Sequence, residues 1–451
     1  MQNPVVIIGA GPIGLAAAAN TAERGMGFVV LEAGPEAGAA VGAWAHVRLF
    51  SAWAELIDPA ARRLLEIGGT WTAPDEAAYP TGGEWRHQYL QPLADLLDAI
   101  PGGSVRYGAR VVGVGRAGRD LLVDSGREND PFAIHIQTST GHERLLASAV
   151  VDASGTWTQP NPLGADGYPA LGEGENADRI TYGIPDFSDA AVTARYTGKH
   201  VAVAGKGASA QGVLIGLAQL AERNPATRVS WLLRRPSIGE AFGGGDNDQL
   251  EQRGKLGQAA RAAATSGVVT NVTQFRTESV TSQVDGRLTV ASVNGQQVRD
   301  IDEVIVVTGF RPDFGFLAEV RLDLDPALGA ARILADQIHP DHHSCGDVAP
   351  HGYKELAQPE QGLYLVGMKS YGRAPSFLAM TGFEQVRSVI AALDGDFDAA
   401  DRVELVLPET GVCNGAGIFD APEYVSTGDG CCGAPTSALE PQLVTLGQPG
   451  Q

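Results

Sequence analysis

Residues 5–14, VVIIGAGPIG, and residues 201–212, VAVAGKGASAQG, decide the fold. Each is an apolar run that enters a glycine-rich turn and continues into a helix of small residues. In the first, Gly9, Gly11 and Gly14 follow the spacing G-x-G-x-x-G. Gly9 allows the tight turn, Gly11 lets the backbone approach a pyrophosphate, and Gly14 lets helix and strand pack closely, so that the helix N-terminus faces an anion. The next strand, GFVVLEAG at residues 27–34, ends at Glu32. A carboxylate about twenty residues after the turn binds both hydroxyls of a ribose. A free 2′-hydroxyl there suits FAD or NAD and disfavours NADP.

The second unit repeats the plan with Gly205, Gly207, Ser209 and Ala210, alanine serving at the third position because only a small residue is needed there. Its following strand, RVSWLLRRPS at residues 228–237, ends on Arg234 and Arg235. Guanidinium groups suit a 2′-phosphate through bidentate hydrogen bonds; the competing reading is a solvated arginine pair. Opposite ribose chemistry at the two turns implies two dinucleotides, FAD on the first and NADPH on the second. The expected fold class is α/β, with two Rossmann-like dinucleotide-binding domains.

Composition agrees with such a plan. A chain of 451 residues with 44% hydrophobic content buries a sizeable core, and at roughly 150 residues per domain it holds two or three lobes. The 33 basic and 53 acidic residues give a net charge of -20, which repels phosphate backbones and anionic lipid and argues against nucleic acid as a partner. No apolar run approaches the roughly 20 residues that span a bilayer. A first strand at Val5 leaves no room for a signal sequence, so the expectation is a cytoplasmic protein with a small-molecule substrate. The four cysteines make no disulfide framework.

The order of parts resembles the two-dinucleotide-binding-domain flavoproteins, the superfamily of thioredoxin reductases, flavin-containing monooxygenases and Baeyer–Villiger monooxygenases. Residues 150–164, VVDASGTWTQPNPLG, and 304–313, VIVVTGFRPD, resemble the segments that link the two domains there. VGAW at 41–44, with Gly42 and Trp44, is similar to the G-x-W segment beside the flavin in the monooxygenase branch. Residues 362–393, GLYLVGMKSYGRAPSFLAMTGFEQVRSVIAAL, resemble the closing flavin-binding segment of flavin-containing monooxygenases, with Gly367 at the strand end and Glu384, Gln385 and Arg387 on the helix. A helix beginning near Ser376 would direct its positive end at the flavin.

The resemblance implies a discontinuous FAD domain. Its first part is residues 1–165, with a strand-rich insertion from about Val105 to Leu146, and its second part is 314–396. The NAD(P)H-binding domain is 179–313, with Asp285-Gly286 and Asn294-Gly295 as turn candidates, and 397–451 is a tail rich in glycine and proline. It also implies an FAD-dependent NADPH oxidoreductase that passes hydride to FAD and then electrons to oxygen and a soft substrate. No CxxC or CxxxxC spacing occurs, which disfavours a standard disulfide reductase. The F-x-G-x-x-x-H stretch of the monooxygenase branch keeps Phe187 but has Asp189 and Thr193 at its Gly and His places.

Two further clusters bear on chemistry. His339, His342, His343, Cys345 and His351 supply metal-ligand types at a spacing that matches no structural zinc pattern. In the tail, Cys413 and the vicinal Cys431 and Cys432 resemble, together with YGRAPSF and LPETGVC, flavoproteins encoded in arsenic-resistance operons. Soft thiolates of this kind bind a thiophilic metalloid. The alternatives to a monooxygenase are therefore a thiol- or metalloid-directed flavin reductase and a non-enzymatic flavin-bound sensor or carrier.

Overall fold

Val5–Ile8 (β1) is apolar at every position and buried on both faces, which suits the centre of a parallel sheet covered on each side. A computed structural model of the chain describes residues 3–242, 250–339, 348–374 and 377–405, all within one compact unit, residues 1–417. β1 lies at the middle of a five-stranded sheet. It is flanked by Phe28–Leu31 (β2), which pairs onward with the short Val105–Arg106 (β3). On its other side lies Ala149–Asp152 (β7), reached after an antiparallel sheet of Arg110–Arg116 (β4), Phe132–Thr138 (β5) and Gly141–Ala147 (β6). The insertion thus begins at Arg110, because Val105 and Arg106 bond to β2 in the main sheet. All the main-sheet pairings are parallel.

A second five-stranded parallel sheet is built the same way. Ile180–Tyr182 (β8) is its edge, His200–Ala204 (β9) its centre, and Arg228–Leu232 (β10) and Val269–Val272 (β11) continue it. An antiparallel meander follows, made of Thr277–Ser282 (β12), Leu288–Ser292 (β13) and Gln297–Ile301 (β14). Gly286 and Gly295 take φ of 81° and 85° at its two turns, a conformation that favours glycine. Glu303–Val306 (β15) then pairs with β9, and Leu363–Leu365 (β16) closes the first sheet against β7.

Both sheets are middle layers. Val5 and Ile7 pack on helices, whereas Val6 and Ile8 pack on Phe132, Ile134 and Ile136 of the antiparallel sheet. Likewise Val201 and Val203 meet helix Ala208–Arg223, and Ala202 and Ala204 meet Val280, Leu288 and Val290 of the meander. The period of two along each strand assigns the faces. Among the described residues no helix is long and apolar enough to cross a membrane.

Candidate functional site

Each central strand delivers its glycine turn to the crevice where neighbouring connections run in opposite directions, the place where open α/β sheets bind ligands. In the first turn the three glycines have three different surroundings. Gly9 sits at φ 100°, and a Cβ there would lie 2.9 Å from Ala153 O. At Gly11 a Cβ would meet nothing within 4 Å. At Gly14 it would lie 1.9 Å from Gly9 O, so strand and helix touch through backbone alone. Gly11 is also the N-cap of helix Pro12–Glu23 and offers no side-chain cap, which leaves the first-turn amides to an anion.

Glu32 braces this turn. Its Oε2 accepts from the Ala10 amide at 2.8 Å and its Oε1 from Gly34 at 2.7 Å. The Gly38 amide donates to Ala10 O at 2.9 Å, tying the G-x-W segment to the same loop. Gly42 ends helix Ala39–Gly42, and a Cβ on it would be 2.6 Å from Arg86 Nη1. Arg86 in turn donates to Glu36 Oε1 at 2.6 Å. Trp44 packs flat on Gly82, where a Cβ would be 2.6 Å from its Cε3. Arg86 belongs to a helix that a Thr81–Glu84 capping box starts and that takes a π turn at Arg86–Leu90. Trp85 and Tyr89 are core there and His87 is exposed.

The closing segment meets the first turn at Ile13. A Cβ at Gly367, which has φ 67°, would lie 3.1 Å from Ile13 Cγ1, and one at Gly382 would lie 2.4 Å from Ile13 Cδ1. Gln385, fully buried, holds this corner. Its Oε1 accepts from the Gly367 amide at 2.7 Å, and its Nε2 donates to Ser370 Oγ at 2.9 Å and to His351 Nε2 at 2.8 Å. His351 Nδ1 then donates to Ala349 O at 3.0 Å, and burial holds the imidazole below its ordinary pKa. His351 is a neutral structural residue. The helix of this segment runs Ala379–Leu393, and Ser376 lies outside the described residues.

Beside Gly9 lies a group that sequence reading missed. Lys369 Nζ is 2.6 Å from Asp152 Oδ2 with both side chains at 0% exposure, and it donates to Ser154 Oγ at 2.9 Å. Phe316 and Phe314 face the ammonium at 4.3 and 5.2 Å. Asp152 and Lys369 belong to quoted motifs, yet nothing local to either signals the partner.

The second turn repeats the first in its contacts. Gly205 has φ 132°, and a Cβ there would be 2.3 Å from Val307 O, the residue after β15, just as Gly9 meets the residue after β7. Gly207 is open, and it caps helix Ala208–Arg223 without a side-chain acceptor. Ser209 is half-buried in the first turn and Ala210 is fully buried. The two arginines differ: Arg234 is exposed, whereas Arg235 is 6% exposed. Both lie in a bend just after β10, where the Gln274 amide donates to Arg235 O at 2.9 Å.

The segments joining the sheets are fastened to each other. Pro160 and Phe310 form an antiparallel bridge, Trp157 stacks on Phe310 at 4.7 Å, and Arg311 Nε donates to Asn161 Oδ1 at 3.0 Å. Cys413, Cys431 and Cys432, like His342, His343 and Cys345, lie outside the described residues. Among the described residues no group of His, Cys, Asp and Glu side chains could hold a metal ion.

The structure is similar over 88% of the chain to the bacillithiol disulfide reductase of Bacillus cereus, over 99% of that protein, with 18% identity and a TM-score of 0.62. An FAD-bound cadaverine monooxygenase of desferrioxamine biosynthesis from Erwinia amylovora matches 91% of the chain and 98% of its own, at 14% identity and TM-score 0.61. A flavin monooxygenase from Stenotrophomonas maltophilia matches 87% and 100%, at 20% identity and TM-score 0.53. The fold is that of the two-domain FAD/NAD(P) flavoproteins. No family model matches the chain, and no curated protein does. Within this fold the glycine turns at Gly9 and Gly205 occupy equivalent places in the two sheets.

Proposed function

We propose that the protein is an FAD-dependent NADPH oxidoreductase of the monooxygenase kind, acting on a small molecule. Bound FAD supplies two-electron chemistry, taking hydride from NADPH and passing electrons to oxygen. The observation that carries this reading is the paired openness above Gly11 and Gly207, each at an uncapped helix N-terminus. A Cβ would fill either cradle, and a pyrophosphate fits where the Cβ is missing.

The residues divide the work. Gly9, Gly11 and Gly14 cradle the flavin nucleotide, Glu32 accepts from its ribose, and Gly42, Trp44 and Gly367 shape the walls. Gly205, Gly207, Ser209 and Ala210 seat the nicotinamide nucleotide. Arg234, the exposed member of its pair, reads the 2′-phosphate, and Arg235 supports it from the core. Gln385 fixes the Gly367 amide, which ties the strand end to helix Ala379–Leu393.

The test is anaerobic mixing of the purified protein with NADPH or NADH, followed by admission of oxygen. Bleaching of the yellow colour, faster with NADPH, and substrate-stimulated oxygen uptake are the expected results. A protein that neither carries nor takes up flavin sinks the reading. Turnover of a disulfide or of trivalent arsenic without oxygen, lost with Cys413, Cys431 and Cys432, replaces the monooxygenase with a reductase.

A further inference from the structure

The matching peptide group is held from opposite ends in the two glycine turns. In the first turn the group joining Gly9 to Ala10 is held by its N–H, which donates to Glu32 Oε2 at 2.8 Å. In the second the group joining Gly205 to Lys206 is held by its C=O, because Trp231 Nε1 donates to Gly205 O at 2.7 Å. The strand registers show that each brace is missing from the other turn. Ile7 pairs with Val30 and Val203 pairs with Trp231, so Val30, which has no donor in its side chain, stands at the place of Trp231. Ile8 pairs with Leu31 and Ala204 with Leu232, so the next residues, Glu32 and Leu233, also match, and Leu233 has no side-chain acceptor.

The third position of each turn explains the exchange. At Gly14 a Cβ would lie 1.9 Å from Gly9 O, so the carbonyl of the first turn rests directly on the helix. Ala210, at the matching place, carries a methyl, and the same arrangement would drive that methyl into Gly205 O. The carbonyl goes to the indole instead, and φ is 132° at Gly205 against 100° at Gly9. Because a peptide group is planar and trans, its N–H points opposite to its C=O. Trp231 is at 0% exposure, so a carbonyl drawn onto it turns the Lys206 amide away from the core. Phe242 backs the indole with ring centroids 5.8 Å apart, and Gln211, beside Ala210, donates to Ala241 O at 2.5 Å. The brace and the start of the helix thus lean on one segment. A carboxylate at the place of Leu233 would repel a 2′-phosphate, and a brace from the core holds the turn without putting that charge there.

We propose that Trp231 is a positioning residue for the nicotinamide nucleotide, an assignment that rests on the oxidoreductase reading. Its indole N–H fixes the Gly205–Lys206 peptide and thereby sets the turn for a pyrophosphate. NADPH and NADH share that pyrophosphate, so both depend on the brace.

Anaerobic reduction of the flavin-loaded full chain by increasing NADPH or NADH tests this in wild type, Trp231→Phe, Ala210→Gly and the double variant. Trp231→Phe removes the donor and keeps an aromatic ring. The expected result is a half-saturating concentration raised about tenfold for both nucleotides, with the limiting rate of bleaching and the flavin content unchanged. In the Ala210→Gly background the same substitution is expected to cost less than about twofold, because the carbonyl can then rest on the helix as it does in the first turn. A half-saturating concentration unchanged by Trp231→Phe overturns the role. Equal losses in the two backgrounds overturn it as well, since the defect is then lost packing. Loss of flavin from Trp231→Phe shows general damage to the fold and also overturns it. Wild-type flavin that neither nucleotide bleaches removes the oxidoreductase reading itself, and the nucleotide role of Trp231 with it.

Discussion

Glu32 Oε2 accepts a hydrogen bond from the Ala10 amide at 2.8 Å, across the mouth of the first glycine turn. With Gly34 on its other oxygen, the carboxylate spends two backbone contacts out of roughly four lone-pair sites, which leaves acceptor capacity for a ribose. Glu32→Ala is expected to lower flavin affinity about ten- to a hundredfold, since hydrogen bonds to a charged group contribute about 1.5–3 kcal/mol. Glu32→Gln should fall between the two, because its amide nitrogen confronts a backbone donor. Flavin retained after dialysis measures the series, and retention equal to wild type in Glu32→Ala refutes the ribose role.

Gly11 and Gly14 should separate binding from folding. Gly11 has extended backbone, with φ -78° and ψ -176°, and open space at its Cβ position. Gly11→Val is therefore expected to leave the apoprotein Tm within a few degrees of wild type and to abolish flavin uptake. Gly14→Ala drives a methyl into Gly9 O and should lower the apoprotein Tm outright. Thermal melts with and without FAD distinguish the two, and matched behaviour would contradict the geometry.

Coenzyme choice should follow Arg234 rather than Arg235. Arg234→Ala is expected to raise the KM for NADPH about ten- to a hundredfold while leaving NADH almost unchanged. Arg235→Ala, at a buried position, should reduce stability and weaken both coenzymes alike. Steady-state kinetics with each nucleotide check the pair.

Breaking the Lys369–Asp152 pair should cost far more than removing it. Lys369→Met leaves a carboxylate at 0% exposure without its cation, a defect of about 3–5 kcal/mol. Adding Asp152→Asn is expected to recover a large part of that loss. Urea unfolding of the two single variants and the double variant gives the coupling, and simple additivity would show the contact to be incidental.

Stability should depend on pH through Asp58. Burial pushes its carboxyl up to about 7, against the lowering influence of the Ala61 amide. The folded protein therefore keeps a proton that the unfolded chain releases above pH 3.8. Stability from this group is fully present at low pH and declines as pH rises toward about 7, at up to about 1.4 kcal/mol per pH unit. Asp58→Asn keeps the cap on Ala61 and should be more stable than wild type at neutral pH, with the gain vanishing in acid. Urea unfolding across that range is the measurement, and a pH-independent difference refutes it.

The sequence spacing was enough to read both glycine turns, because strand, turn and helix lie within a few consecutive residues and each glycine acts on its near neighbours. Gly42 and Trp44 were recognisable as a motif, yet their immediate reasons, Arg86 and Gly82, lie on a later helix. The least legible elements are pairs whose members are far apart in the chain. Arg116 and Arg127 converge on Glu360, all three nearly fully buried, and no local pattern announces them. Arg234 and Arg235 looked alike because the bend after β10, which leaves one exposed and the other buried, is a tertiary fact.

The pairing of Val150 with Leu363 also sets an order of events during synthesis. The whole second sheet, from β8 to β15, emerges from the ribosome between the two halves of this contact. The first sheet waits for β16, and the corner made by Gly367 and Gln385 cannot form before helix Ala379–Leu393 has been made. The first glycine turn thus gains its contacts from Ile13 to Gly367 and Gly382 only late in the life of each new chain.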